Sequence, residues 1–174
     1  LESLRHKIKV MLDQDGASDE QKDGMDVALA ILNKKSREVH FAGANNPLYI
    51  VRNKEQGTGK DLEAFASKDN EKFQLFEIKG DKQPVGTHWE ETPFTTHSVI
   101  LREKDSIYLF SDGFIDQFGG EKRKKFMSGN FKKLLLSVQE ESMHKQAQIL
   151  EETFESWRGD VEQIDDVSVI GVRI

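Results

Sequence analysis

The chain has 174 residues, 36% hydrophobic and 32% charged, which suits one core and leaves little room for a second. Its 25 Lys and Arg against 31 Asp and Glu give a net charge of −6, which argues against nucleic acid as the main partner because phosphate backbones are held by basic stripes. With no cysteine, disulfides, thiolate zinc sites and cysteine nucleophiles are all excluded.

Leu1, Leu4, Ile8 and Met11 recur at three- and four-residue steps, which predicts an amphipathic helix over residues 1–12. Residues 13–24 are acidic and rich in turn formers, an exposed loop. Residues 26–32 (DVALAIL) form a nearly continuous apolar run, so a strand buried on both faces is expected. Val39 and Phe41 alternate with polar neighbours, and residues 48–51 (LYIV) follow Gly43-Ala44-Asn45-Asn46-Pro47. That pattern predicts antiparallel strands joined by a turn. Residues 53–70 are polar and read as a loop or mobile insertion. Further strands are expected over 73–78, 98–101 and 106–110, the last ending at Ser111-Asp112-Gly113. A short helix around 130–138 precedes a longer one carrying the stripe Met143, Ala147, Leu150, Phe154 and Trp157, which stops at Gly159. A closing strand covers 167–174. Strands first, a helical pair late and a final strand make an α+β chain with a largely antiparallel sheet. No apolar run approaches the roughly 20 residues that span a bilayer. Arg5, Lys7 and Lys9 at the start are unlike a secretory signal, so a soluble, cytoplasmic domain without membrane contact is expected.

Two acidic motifs stand out. In residues 107–113 (IYLFSDG) an apolar strand delivers Asp112 to its end and Gly113 permits a sharp turn beside it; the plain alternative is an Asp-Gly turn. Asp165 and Asp166 open the closing strand, where adjacent carboxylates repel unless a cation offsets them; the plain alternative is a solvated turn. If the two strands are neighbours, the acids converge on one hard cation. Oxygen-only ligands favour magnesium or manganese over zinc. His6, His40, His88, His97 and His144 are scattered, and no histidine metal site is expected.

Two other segments carry less. Gly57-Thr58-Gly59-Lys60 faintly resembles a phosphate loop, but Lys54 stands at the first glycine position and Asp61 where Ser or Thr is required. Lys122-Arg123-Lys124-Lys125 reads as a solvated face, with docking of an acidic or phosphorylated partner as the lesser alternative.

Five blocks then occur in order. They are Asp23-Gly24-Met25-Asp26-Val27-Ala28-Leu29, Ala42-Gly43-Ala44-Asn45-Asn46-Pro47-Leu48-Tyr49, Gln83-Pro84-Val85-Gly86, residues 107–113 with Asp116-Gln117-Phe118-Gly119-Gly120, and Gln163-Ile164-Asp165-Asp166-Val167-Ser168. Together they resemble the SpoIIE/RsbU-type serine phosphatases, the bacterial branch of the metal-dependent PPM phosphatases, from about residue 23 to residue 174. The resemblance implies a single domain over residues 1–174: a PPM-like β-sandwich of mainly antiparallel strands, flanked by helices, with two manganese or magnesium ions at one end. It implies that Asp112 and Asp165 ligate metal, that Asp166 is their neighbour, and that Gly113 shapes the turn. It also implies hydrolysis of phosphoserine or phosphothreonine, commonly on a STAS-type anti-sigma-factor antagonist, by metal-activated water, under control of an upstream sensor domain.

One departure matters. The family's upstream metal-bridging aspartate, followed by a Gly-His-Gly-like stretch, is not found, so the chain is expected to be the C-terminal portion of an N-terminally truncated domain. Asp23 and Asp26 are the nearest substitutes, and Asp26 heads a buried-type strand where the family often has a small polar residue. With two of the usual carboxylates, fewer than two ions are expected. Exposed strand edges invite pairing with a second copy. Two readings stand: a metal-dependent phosphatase, or a phosphatase-like module that binds a STAS-type partner without chemistry.

Overall fold

The computed structural model describes residues 1–12 and 24–174. The loop expected over 13–24, apart from Gly24, and the candidate Asp23 lie outside the described residues. In chain order the elements are α1 (Glu2–Met11), β1 (Gly24–Met25), β2 (Val27–Asn33), β3 (Glu38–Ala44), β4 (Leu48–Asn53), α2 (Lys60–Glu63), β5 (Ala66–Asp69), β6 (Phe73–Ile78), β7 (Val85–Gly86), β8 (His97–Ile100), β9 (Ser106–Phe110), α3 (Gly113–Asp116), β10 (Phe118–Gly119), β11 (Lys124–Lys125), α4 (Ser128–Ser137), α5 (Met143–Arg158) and β12 (Val169–Arg173). The pairs β1–β7, β2–β3, β3–β8, β5–β6, β9–β12 and β10–β11 are antiparallel. The α+β class stands.

The chain divides into two compact units, residues 1–48 with 78–100 and residues 49–77 with 101–174. The first holds the sheet β2-β3-β8 and the short pair β1-β7. On β2, Ala30 and Leu32 lie opposite Phe41 and Val39, both fully buried. The alternate residues Leu29 and Ile31 are 44% and 61% exposed, so the apolar run is not buried on both faces as expected. A continuous apolar run shows that a strand tolerates burial; only the neighbouring elements decide whether both faces receive it.

Helix α1 forms where the periodicity placed it, but not for the reason given. Its buried residue is Arg5, while Leu4, Met11 and Leu12 stay exposed. Two guanidinium nitrogens of Arg5 donate to the Thr92 carbonyl at 3.1 and 3.2 Å, and the group lies 4.2 Å from the centroid of Phe94. Lys9 pairs with Glu91 at 2.8 Å, and that hydrogen bond holds the Glu91 carboxyl below its usual range. The helix is seated by charge and a cation–π contact rather than by its apolar stripe.

The second unit is built on a sheet of order β12-β9-β4-β6-β5. Tyr49, Val51, Leu75, Tyr108 and Phe110 from its strands form one core with Phe131, Leu135 and Leu136 of α4 and Leu150 and Phe154 of α5. Phe131 has no exposed surface, and its ring centroid lies 4.9 Å from Phe110 and 4.8 Å from Phe114. Helix α5 starts at Ser142, whose hydroxyl accepts from the Lys145 amide at 3.2 Å, and stops at Gly159 with φ of +56°. Its buried line differs from the expected stripe in one residue. Gln146 turns inward and Ala147 outward. Burial of a polar group is tolerated because Tyr108 donates to Gln146 Oε1 at 2.7 Å while accepting from Gln139 at 2.6 Å.

The loop expected over 53–70 is instead ordered as a 3-10 turn (Lys54–Gln56), α2 and β5. Arg102 donates to the carbonyls of Gln56 and Gly57, Arg52 donates to that of Thr58, and Leu62 is fully buried. Strand β5 reads ASKD, without apolar alternation, because its ladder to β6 depends on backbone bonds at the end of the sheet.

Burial pushes the Tyr108 hydroxyl above its usual range. Burial, followed by the charge and hydrogen bond of Glu77, does the same more strongly to Tyr49. The folded state therefore keeps protons that the unfolded chain releases near pH ~10. Stability is full below that pH and falls as pH rises beyond it. Thermal melts from pH 7 to 11 will show this decline, and Tyr49→Phe will make it shallower. An equally steep decline in that variant would refute the assignment.

Candidate metal centre

Strands β9 and β12 are antiparallel neighbours, with Phe110 opposite Val169 and Ser106 opposite Arg173. That register puts the residues after β9 beside those before β12. The ladder continues one step, the Ser111 amide donating to the Ser168 carbonyl at 3.0 Å. Asp112 then starts α3, and its carboxylate makes no capping bond to that helix, so an ordinary capping role does not account for it. The Asp116 amide donates to the Asp112 carbonyl at 2.9 Å, closing the turn.

A Cβ on Gly113 would lie 2.5 Å from the Asp166 carbonyl oxygen. Only glycine permits so close a backbone approach, which explains the Asp-Gly order. Asp112, Asp165 and Asp166 are all exposed at this end of the second unit. The Asp165 carboxylate accepts from the Asp166 amide at 2.8 Å, and its carbonyl accepts from Gln163 at 2.8 Å. Gln163, Ile164, Asp165 and Asp166 line an open hollow of about 320 Å³. Asp26 belongs to the first unit, where its carboxylate accepts from Asn45 at 2.6 Å.

Two residues escaped the sequence reading. The Ser111 hydroxyl donates to the Asp166 carbonyl at 2.8 Å and accepts from the Ser168 amide at 2.9 Å. Gln117, fully buried, donates to the Glu162 carbonyl at 3.0 Å and accepts from Trp157 through its own carbonyl at 3.1 Å, steadying the approach to the acidic run. Both are visible in their motif, but their partners lie 40 to 57 residues away and give no local signal.

Among the described residues, no group of three or more His, Cys, Asp or Glu side chains is placed to enclose a metal ion. What this end offers is carboxylate oxygen from two neighbouring turns, which suits one hydrated magnesium or manganese ion. Such ions keep several waters and commonly take only one or two protein carboxylates.

The model of the family "Stage II sporulation protein E (SpoIIE)" matches residues 1–174. The chain belongs to the SpoIIE family. Among solved structures, the SiaA-PP2C domain of Pseudomonas aeruginosa is similar at a TM-score of 0.74 and 24% identity, over 98% of this chain and 57% of that one. The phosphatase domain of SpoIIE from Bacillus subtilis, presoaked with manganese, is similar at a TM-score of 0.56 and 18% identity, over 98% and 63%. The S. agalactiae serine/threonine phosphatase follows at 0.51 and 18%, over 98% and 67%. The fold of this SpoIIE-family chain is therefore that of the PP2C-type phosphatase domains, and it spans little more than half of the first of them. No curated protein matches it. No helix among the described residues is long and apolar enough to cross a membrane.

Proposed function

We propose that residues 1–174 belong to a metal-dependent serine/threonine phosphatase domain that removes phosphate from a regulatory protein of the STAS type. The observation that carries this reading is the β9–β12 register, which brings Asp112 and Asp165 to one end of one sheet in a SpoIIE-family chain. Asp112 and Asp165 hold a manganese or magnesium ion through carboxylate oxygens, Asp166 adds negative charge beside them, and Gly113 keeps the two turns in contact. When bound, the ion supplies Lewis acidity that activates water and neutralises phosphoryl charge. The exposure of all three acids suits a phosphorylated side chain presented on a protein surface. The reading is of a cytoplasmic domain regulated by an upstream sensor and able to pair with a second copy through its strand edges.

The lack of a three-ligand cluster among the described residues favours a second reading, a phosphatase-like module that docks its partner without chemistry. A calorimetric titration of manganese into the chain, beside Asp112→Asn and Asp165→Asn, separates the two. The phosphatase reading expects wild-type binding that weakens at least about tenfold in each variant, with metal-dependent phosphate release from a phosphoserine peptide. No binding at millimolar manganese would replace it with the docking module.

A further inference from the structure

We infer that Ser111 is a positioning residue that sets the separation of the two metal-binding turns, an inference resting on the phosphatase reading above. The Ser111 side chain is half-buried and uses both of its hydrogen-bonding capacities across the same gap. It donates to the Asp166 carbonyl at 2.8 Å and accepts from the Ser168 amide at 2.9 Å. The regular ladder ends at the Ser111 amide and the Ser168 carbonyl. Beyond that point the strands no longer pair, and the chain from Asp165 to Val167 has no ladder to hold it.

The hydroxyl replaces that ladder. The Asp166 carbonyl is gripped from both sides of Asp112: the Ser111 hydroxyl binds it, and Gly113 meets it so closely that a Cβ would stand 2.5 Å away. Asp112 is thus fixed relative to Asp165 and Asp166 through backbone contacts. That matters because neighbouring carboxylates repel, and without a brace the turns would relax apart before a cation arrives. An alcohol suits the role. It donates and accepts at once and brings no charge that would compete with the ion.

The test is manganese titration of the chain followed by calorimetry and by the electron paramagnetic resonance signal of bound manganese, with melting temperature measured for each variant. Ser111→Val should weaken manganese binding by about tenfold, the lower end of what groups orienting metal ligands contribute. Ser111→Thr should stay within about twofold of wild type, because its hydroxyl can make the same two bonds. Ser111→Ala, which cannot overcrowd the site, should match Ser111→Val and replaces it if the valine variant does not fold. Wild-type affinity in Ser111→Ala, with binding still lost in Asp112→Asn, would overturn the positioning role and leave the metal site intact. A loss in Ser111→Thr equal to that in Ser111→Ala would also overturn it, because the hydroxyl would then not be the agent. Absence of manganese binding by the wild-type chain would instead remove the phosphatase reading itself.

Discussion

Asp105→Ala will destabilise the second unit by about 3–5 kcal/mol, a large part of the roughly 5–15 kcal/mol that holds a domain folded. Asp105 is 0% exposed and Arg52 is 1% exposed. The Arg52 fork donates to Asp105 at 3.0, 3.1 and 2.6 Å, and the Arg102 amide donates to the same carboxylate at 2.8 Å. Removing the carboxylate strips the buried guanidinium of the acceptor that takes three of its hydrogen bonds, so the loss is mostly the desolvation penalty left uncompensated there. For a chain of this size the melting temperature should fall on the order of 10 °C. The exposed pair Lys54–Asp69, with side chains 37% and 56% accessible, is the control: Asp69→Ala should change stability by less than about 1 kcal/mol. Replacing both members of the buried pair, Arg52→Met with Asp105→Leu, should recover much of the loss because no charge is then stranded. A fall of under about 1 kcal/mol for Asp105→Ala in urea denaturation would contradict this account.

Phe131→Ala should rank beside it, at about 3–5 kcal/mol. The ring sits at the centre of the helix-covered core, 4.9 Å from Phe110, 4.8 Å from Phe114 and 6.5 Å from Tyr49. Truncation removes the apolar burial and leaves a cavity walled by aromatic rings, which are too stiff to collapse into it. Phe131→Leu retains most of the volume and should lose less than half as much. Phe114 follows Gly113 directly, so the alanine variant also loosens the support beneath the Asp112 turn. Equal losses for leucine and alanine would show that the ring contacts, not the filled volume, hold this core.

Local pattern was enough for several elements. Residues 106–110 are a short apolar run and β9 follows; residues 143–157 repeat at helical steps and α5 follows, because run length and side-chain period report on the local backbone conformation. Where partners are distant the pattern misled. The stripe on α1 called for apolar burial, yet Arg5 is what the unit engages. The stripe on α5 placed Ala147 on the buried line, yet Gln146 is the residue buried there, its partner Tyr108 coming from β9. Residues 53–70 looked structureless because the groups that order them, Arg52 and Arg102, act through backbone carbonyls that leave no trace in composition.

The same division applies to the site. Sequence alone determined the class of the chain and the acids that stand at the mouths of two strands, since these depend on residue type and short-range spacing. Only the tertiary structure decided that β9 and β12 are neighbours, that Ser111 and Gly113 hold the Asp166 carbonyl, and that Asp26 accepts from Asn45. The reason is physical. Which strands pair across more than fifty residues is set by the burial of whole faces and by loop closure, and neither is written in any single window of the chain.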